Sequence, residues 1–386
     1  MISNVHLSAL CDYADGRIGV SDLDTHSYIS TENMLPNKEG ICQSSGLPVI
    51  AQTQAYQPND VLVSNIRPYF RKIWFADRIG GCSNDVLVMR AKQNCYPRFL
   101  YYILSDDKFF DYSTATGKGT KMPRGDKNAI MCYTVPDIPF EDQKKIANTL
   151  SALDDRITEN KKINHHLEQM AQAIFKSWFV DFEPFGGTCP THWTHGNLTD
   201  IANYLNGLAM QRFRPLPGEK GLPVLKIKEL RQGACDSASE LCSPNIRADY
   251  LVHDGDVIFS WSGSLLVDFW CGGDCGLNQH LFKVTSTTYD KWFYYAWTHH
   301  HLARFVAMAA DKATTMGHIK RDALENAEVL IPDAEEYCRL GTILAPLYEQ
   351  VVNNRIECRR LAELRDTLLP RLMSGELSVA DIGDGK

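Results

Sequence analysis

The acids that sit beside a basic residue, Asp106-Asp107-Lys108 and Asp154-Asp155-Arg156, are the pattern that metal-assisted phosphodiester cleavage would use. Both fall in segments that read as helix, and a solvated helix face accounts for them. The run His299-His300-His301 could ligate a metal. Adjacent helical residues point in different directions, however, and no other ligand lies at a suitable spacing, so no metal is expected. The twelve cysteines are scattered without a CxxC pair, Cys271 and Cys275 being the one close couple. Buried reduced thiols are the expectation. No GxGxxG follows a strand-like run and no GxxxxGK[ST] occurs, so no cofactor or ATP loop is expected. An Asn/Asp-Pro-Pro-Tyr/Phe loop for a flipped adenine is missing as well, Ile66-Arg67-Pro68-Tyr69 being the nearest match. What remains is cationic. Lys118, Lys121 and Arg124, spaced by glycines and Thr120, form the clearest basic patch of the chain; it suits phosphate contact, with an ordinary solvated loop as the alternative.

That patch lies in an acidic chain, of net charge -7. Proteins that hold nucleic acid by charge alone are strongly basic, so binding of that kind would need local patches or a basic partner. At 386 residues, with 44% hydrophobic and 23% charged, the chain exceeds what one core usually organises and should fold as two or three soluble domains. It has no run of about 18 apolar residues, and Met1-Ile2-Ser3-Asn4-Val5-His6 lacks the blocks of a secretory signal, so a cytoplasmic location without membrane contact is expected.

The elements that must position these residues occur twice. Asp60-Val61-Leu62-Val63-Ser64 falls on Asp256-Val257-Ile258-Phe259-Ser260, and Phe99-Leu100-Tyr101-Tyr102 on Trp292-Phe293-Tyr294-Tyr295. Gly80-Gly81 aligns with Gly272-Gly273, Thr120-Lys121-Met122 with Thr314-Thr315-Met316, and Val135 to Pro139 with Val329 to Pro332. Each half is one copy of a single design. Short β-like runs and one amphipathic helix, near Pro97 to Phe110 and again near Tyr289 to Ala310, give each copy a mixed α/β (α+β) character.

Each copy closes on a long three-four pattern. Leu150, Leu153, Ile157, Asn160, Leu167 and Ile174 answer Leu344, Leu347, Val351, Asn354, Leu361 and Leu368; the narrow apolar stripe fits one partner helix, as in a coiled coil. Asn160 and Asn354, at the same seam position, are expected either to fix the register as a buried pair or to face solvent. Asp333-Ala334-Glu335-Glu336 reads as a capping box, with Pro184, Gly186 and Gly187 ending the first helix and Gly375 the second. The expected order is a globular domain over 1–139, a helical spacer over 140–184, a second domain over 185–332, a distal spacer over 333–376 and a tail over 377–386. If the two helices pair antiparallel, one globule sits at each end of a rod. That geometry suits readout of two separated half-sites on a duplex, or equally a scaffold or adaptor for two protein partners.

The segments Ser260-Trp261-Ser262-Gly263-Ser264, Leu277-Asn278-Gln279-His280-Leu281-Phe282 and Lys312-Ala313-Thr314-Thr315-Met316-Gly317-His318-Ile319-Lys320 resemble target-recognition domains of type I restriction-modification specificity subunits. Tyr28 to Met34 and Ser64-Asn65-Ile66-Arg67-Pro68-Tyr69 resemble a version of the first such domain, and the two seam helices resemble that family's spacers. The resemblance covers nearly the whole chain. It implies two target-recognition domains related by internal repeat and separated by two long antiparallel coiled-coil helices. It also implies a non-catalytic subunit, with two adenine-methylating modification subunits and added restriction subunits as partners. S-adenosylmethionine and ATP would be bound by those partners and no cofactor by this chain; the target would be double-stranded DNA, read as two half-sites across a fixed gap set by the helices.

Base edges are read by paired donors and acceptors, and phosphates are held by cations, hydroxyls and amides. In the first domain Ser64, Asn65, Arg67, Tyr69, Lys72, Asn84, Lys118, Thr120, Lys121 and Arg124 offer that mixture. In the second it comes from Ser260, Ser262, Asn278, Gln279, His280, Lys312, Thr314, Thr315, His318 and Lys320. For Asn278 and His280 the alternative is that they only tie loops together. Arg67-Pro68-Tyr69 has no counterpart near Gly263-Ser264-Leu265, so the two domains should read different sequences.

Overall fold

A computed structural model describes residues 3–119, 121–310 and 321–377. The chain divides into two compact units, one built from Met1–Asp155 with Leu361–Lys386 and the other from Arg156–Arg360. Each of the two long helices, Phe140–Phe179 and Ala334–Ser374, therefore gives one part of its length to each unit.

The first unit is ordered around the run Val61-Leu62-Val63, whose β-branched and apolar residues are all buried. This strand, Val61–Ser64, pairs antiparallel with Val86–Ala91 on one side (Val61 opposite Met89) and with Ile73–Phe75 on the other, and Cys11–Tyr13 closes the four-stranded sheet. In the second unit Val257–Ser260 takes the same place. It lies between Leu281–Thr285 and Leu266–Phe269, with Asn203–Asn206 at the edge. A second sheet in each unit centres on a short glycine-bearing strand. Gly81 lies between Tyr28 (parallel) and Ala55 (antiparallel), while Gly276 lies between Val224 (parallel) and Leu251 (antiparallel).

These registers correct one expected match. The equivalent of Gly81 is Gly276, and Gly272 lies instead in a turn, where an added Cβ would stand 2.3 Å from the Trp270 ring. Matching residue identities alone had skipped over a length difference between the copies. The copies also diverge at the sheet edge: Arg17–Gly19 extends the first sheet beyond the antiparallel neighbour, and Leu241–Cys242 extends the second beyond the parallel one.

The helix expected from Pro97 to Phe110 is two helices, Pro97–Ser105 and Asp107–Ala115. Asp106 breaks it by adopting an extended backbone and accepting from the Lys108 amide, the usual N-cap use of aspartate. Its neighbour Asp107 receives Lys38 (2.7 Å) and Arg71 (2.8 Å). Asp154 is likewise not a solvated side chain, since it accepts from the Tyr102 hydroxyl (2.6 Å) and from Arg365 (2.7 Å). All three acids are structural, each held by partners within its own unit. The counterpart helix of the second copy, Lys291–Ala310, runs without a break.

Within the second unit the two long helices run antiparallel. Asn164 meets Asn354, Asn160 meets Glu357 and Ile157 meets Cys358, so numbers fall along one helix as they rise along the other. The seam is anchored by Leu150, Leu344 and Val351, all buried, while Leu153, Ile157, Leu167, Ile174, Leu347, Leu361 and Leu368 are half-buried. Leu344 joins Phe175, Phe179 and Trp292 in one core, and Leu150 joins Phe99, Leu104 and Leu372 in the other. Each fully buried leucine contributes roughly 1.5 to 3 kcal/mol.

The asparagines do not pair with each other as expected from their shared seam position. Asn354 donates to Asn164 Oδ1 (2.8 Å) and Asn164 to the Val351 carbonyl (3.1 Å), while Asn160 donates to Glu357 (2.7 Å). In an antiparallel pair repeat-equivalent residues face each other only at the local twofold and part company away from it, so Asn354 faces Asn164 and Asn160 faces Glu357. The repeat equivalent of Asn164 is Cys358, whose Sγ contacts the Ile157 carbonyl at 3.7 Å. At the start of the distal helix Asp333 accepts from the Glu336 amide (2.9 Å). The other half of the expected capping box is replaced, because the Glu336 carboxylate is taken by His192 (3.1 Å) and Trp193 Nε1. Gly375, with φ of 72°, ends that helix in the left-handed conformation that glycine favours. All twelve cysteines are free thiols, and among the described residues no helix is long and apolar enough to cross a membrane.

Candidate nucleic-acid interface

In the first unit two loops meet beyond the end of the Val61–Ser64 strand. One leads from Ser64 to Lys72 and the other spans residues 117–125. Ile66 bridges Arg124, the Arg67 amide donates to the Pro123 carbonyl (2.8 Å), and the Gly125 amide donates to the Asn65 carbonyl (3.2 Å). The fold thus gathers Ser64, Asn65, Arg67, Tyr69, Lys118, Lys121 and Arg124 on one platform. Asn84, exposed, adjoins it through Asp85, whose carbonyl accepts from the Asn65 amide (2.8 Å). Thr120 lies outside the described residues.

The platform's side chains differ in what they have left to offer. Ser64 is buried and donates to the Ile66 carbonyl (3.2 Å), and Asn65 is buried beneath Gly125. Lys72 turns inward to the Thr31 carbonyl (2.6 Å), and burial holds its pKa below the usual lysine value. Lys118 is exposed but paired with Asp126, and Arg124 with Asp85 (3.0 Å). Tyr69 is half exposed on a one-turn helix, Pro68–Phe70, that is flanked by two left-handed arginines, Arg67 (φ 50°) and Arg71 (φ 53°). Each such residue costs about 1 kcal/mol when it is not glycine.

The second unit builds the same corner differently. Ser260 donates to the Ser262 carbonyl (3.3 Å), as Ser64 does to Ile66 in the first copy, but the loop then returns directly into Leu266–Phe269 with Gly263 (φ 65°) at its turn. Ser262 Oγ lies 3.1 Å from His280 Nδ1. Asn278, buried, follows the glycine-bearing strand, and its Oδ1 accepts from the His280 amide (3.2 Å). Asn278 therefore shapes the turn. His280 is exposed and Gln279 half exposed, with Nε2 atoms 3.3 Å apart. Trp261 donates to Asn206 (3.0 Å) beside a cleft of about 960 Å³ lined by Asn203, Tyr204, Phe282 and Arg321. Lys312, Thr314, Thr315, His318 and Lys320 lie outside the described residues.

Two juxtapositions were not legible from spacing. His192, Asp333 and Glu336 bring their ligand atoms within 4.8 Å of one another, although two of them already cap the distal helix and hold Trp193. Cys235 and Cys275 place their sulfurs 3.9 Å apart, whereas the close couple in sequence is Cys271 and Cys275. The three adjacent histidines spread around their helix as expected. His301 binds the Glu328 carbonyl (2.7 Å), and burial lowers the pKa of all three.

Residues 25–169 match the family described as the type I restriction modification DNA specificity domain. The specificity subunit of the type I restriction enzyme MjaIX, from Methanocaldococcus jannaschii, is 29% identical over 313 residues, which is 75% of this chain and 71% of that protein. The HindI specificity subunit from Haemophilus influenzae is 23% identical over 435 aligned residues, 91% and 94% of the two chains. The chain is thus similar, over most of its length, to type I restriction enzyme specificity subunits. In fold the chain is similar to the crystal structure of an S subunit from M. genitalium, with a TM-score of 0.59 at 15% identity and coverage of 97% and 96%. The matched residues 25–169 take in most of the chain before the first long helix and much of the Phe140–Phe179 helix. The second unit repeats the sheet order of the first.

Proposed function

We propose that this chain is a type I specificity subunit that reads a split DNA target, one half-site through each unit, and positions adenine methyltransferase and restriction subunits on it without catalysing a reaction itself. The observation that carries the reading is the doubling. Two copies of one sheet present loops that differ in length and residue type at the equivalent corner, Ser64 to Lys72 and Ser260 to Leu266. Equal scaffolds with unequal loops suit two different half-sites joined in one chain. Gln279, His280, Tyr69, Arg67 and Lys121 are the side chains offered to the duplex. Lys118 and Arg124 would exchange an internal acid for phosphate. S-adenosylmethionine and ATP belong to the partner subunits.

The test is co-expression with the adenine-methylating modification subunit of a type I system that assembles with this chain, followed by long-read mapping of N6-methyladenine in host DNA. Methylation confined to a two-part motif with a constant gap is the expected result. A soluble, normally assembled complex that leaves the DNA unmethylated would return the chain to a scaffold role.

A further inference from the structure

The first unit holds two non-glycine residues in the left-handed conformation on one turn, Arg67 and Arg71. Arg71 has an internal reason to be arginine, its ion pair with Asp107 at 2.8 Å. Arg67 has none: its guanidinium has no hydrogen-bond or ion-pair partner among the described residues, and its Nε is buried. The second copy shows what the backbone alone requires. The residue three after its strand-ending serine, Gly263, is also left-handed (φ 65°) and is a glycine, as the conformation favours. Where the second copy needs only the bend, the first accepts strain to keep a side chain.

Among the described residues Arg67 shares with the exposed Lys121 the lack of an internal partner, and of the two only Arg67 is partly buried on a strained turn. Lys38, Lys72, Lys118 and Arg124 around it are taken by Asp107, the Thr31 carbonyl, Asp126 and Asp85. Arg67 is fixed from both sides, its amide on the Pro123 carbonyl (2.8 Å) and its carbonyl on the Phe70 amide (3.0 Å). A planar fork on a pinned backbone suits an acceptor pair in one place better than a mobile phosphate.

We propose that Arg67 is the specificity-determining residue of the first half-site, donating its paired N–H groups to O6 and N7 of a guanine in the major groove. This rests on the DNA-reading function proposed above. Arg67→Gly relieves the strained backbone, and Arg67→Asn tolerates it. Each is co-expressed with the methyltransferase and mapped as before, and thermal unfolding of the purified complex is recorded beside the wild type.

The expected result is loss of the guanine requirement at one position of one half-site, on the order of tenfold or more in preference. The gap and the other half-site stay intact, and the unfolding midpoint is unchanged or higher. A uniform fall in methylation with the motif unchanged would mark a phosphate contact and overturn the assignment. So would an unaltered motif at full methylation, or a clear drop in the unfolding midpoint of both variants. Absence of any split motif with the wild-type chain would instead sink the DNA-reading function itself, and this assignment with it.

Discussion

Buried charge at single residues decides more here than the exposed cations that first draw the eye. Arg355 reaches Glu168 (2.8 Å) and Asp268 (2.7 Å), tying both long helices to the Leu266–Phe269 strand, with all three side chains 29–34% exposed. Replacing it with methionine keeps the packing volume but leaves two carboxylates uncompensated. We expect Arg355→Met to destabilise the second unit by about 2 kcal/mol, below the roughly 3 to 5 kcal/mol of a fully buried pair because water still reaches this one. Chemical denaturation of the variant should show an earlier unfolding transition. The three histidines give a pH signature. Burial lowers the pKa of His299, His300 and His301 from the ordinary 6.5, so the unfolded chain takes up their protons first. Their contribution is fully present above about pH 6.5 and is lost as pH falls below it. Thermal unfolding recorded from pH 7.5 down to 5 should show a falling midpoint, with a shallower slope in His299→Gln/His300→Gln.

The seam of the long helices is carried by a few positions in the three-four pattern. Leu150 and Leu344 are fully buried, whereas Leu153 and Leu347 keep partial exposure. Leu344→Ala and Leu150→Ala should each cost roughly 2 to 5 kcal/mol, and Leu153→Ala and Leu347→Ala clearly less. Denaturation of the four variants tests the order, and equal losses would contradict this packing. The polar layer of Asn164 and Asn354 lies in the same seam. By analogy with buried asparagines in coiled coils it fixes register at some cost in stability. The double change Asn164→Leu/Asn354→Leu should therefore raise the unfolding midpoint.

For the molecule as a whole, two unequal corners on equal scaffolds imply independent readouts. Gln279→Ala/His280→Ala should alter one half of the methylated motif and leave the other half and the gap as they were. Lys121→Ala should lower methylation at every site without changing the motif. Methylome mapping of both variants checks this, and a change in both halves from the Gln279/His280 pair would argue against independence.

The sequence by itself determined the doubling, the mixed sheet-and-helix character of each copy and the extent of the long helices. Such patterns repeat locally: buried runs such as Val61-Leu62-Val63 and Val257-Ile258-Phe259, and leucines at three-four spacing, signal their partners' side of an element without naming the partner. Contacts across the chain were decided only by the tertiary structure. Asn354 meets Asn164 and not its repeat twin, because antiparallel packing offsets equivalent positions. Asp106 ends a helix that periodicity alone would have continued. Asp107 and Asp154, which look like solvated acids in sequence, are held by Arg71 and Arg365 because folding brings those arginines within 3 Å. Lys72, Lys118 and Arg124 carry charges that are plain in the sequence. That they are already engaged, and that Arg67 is not, depends on which acids and carbonyls the fold places beside them.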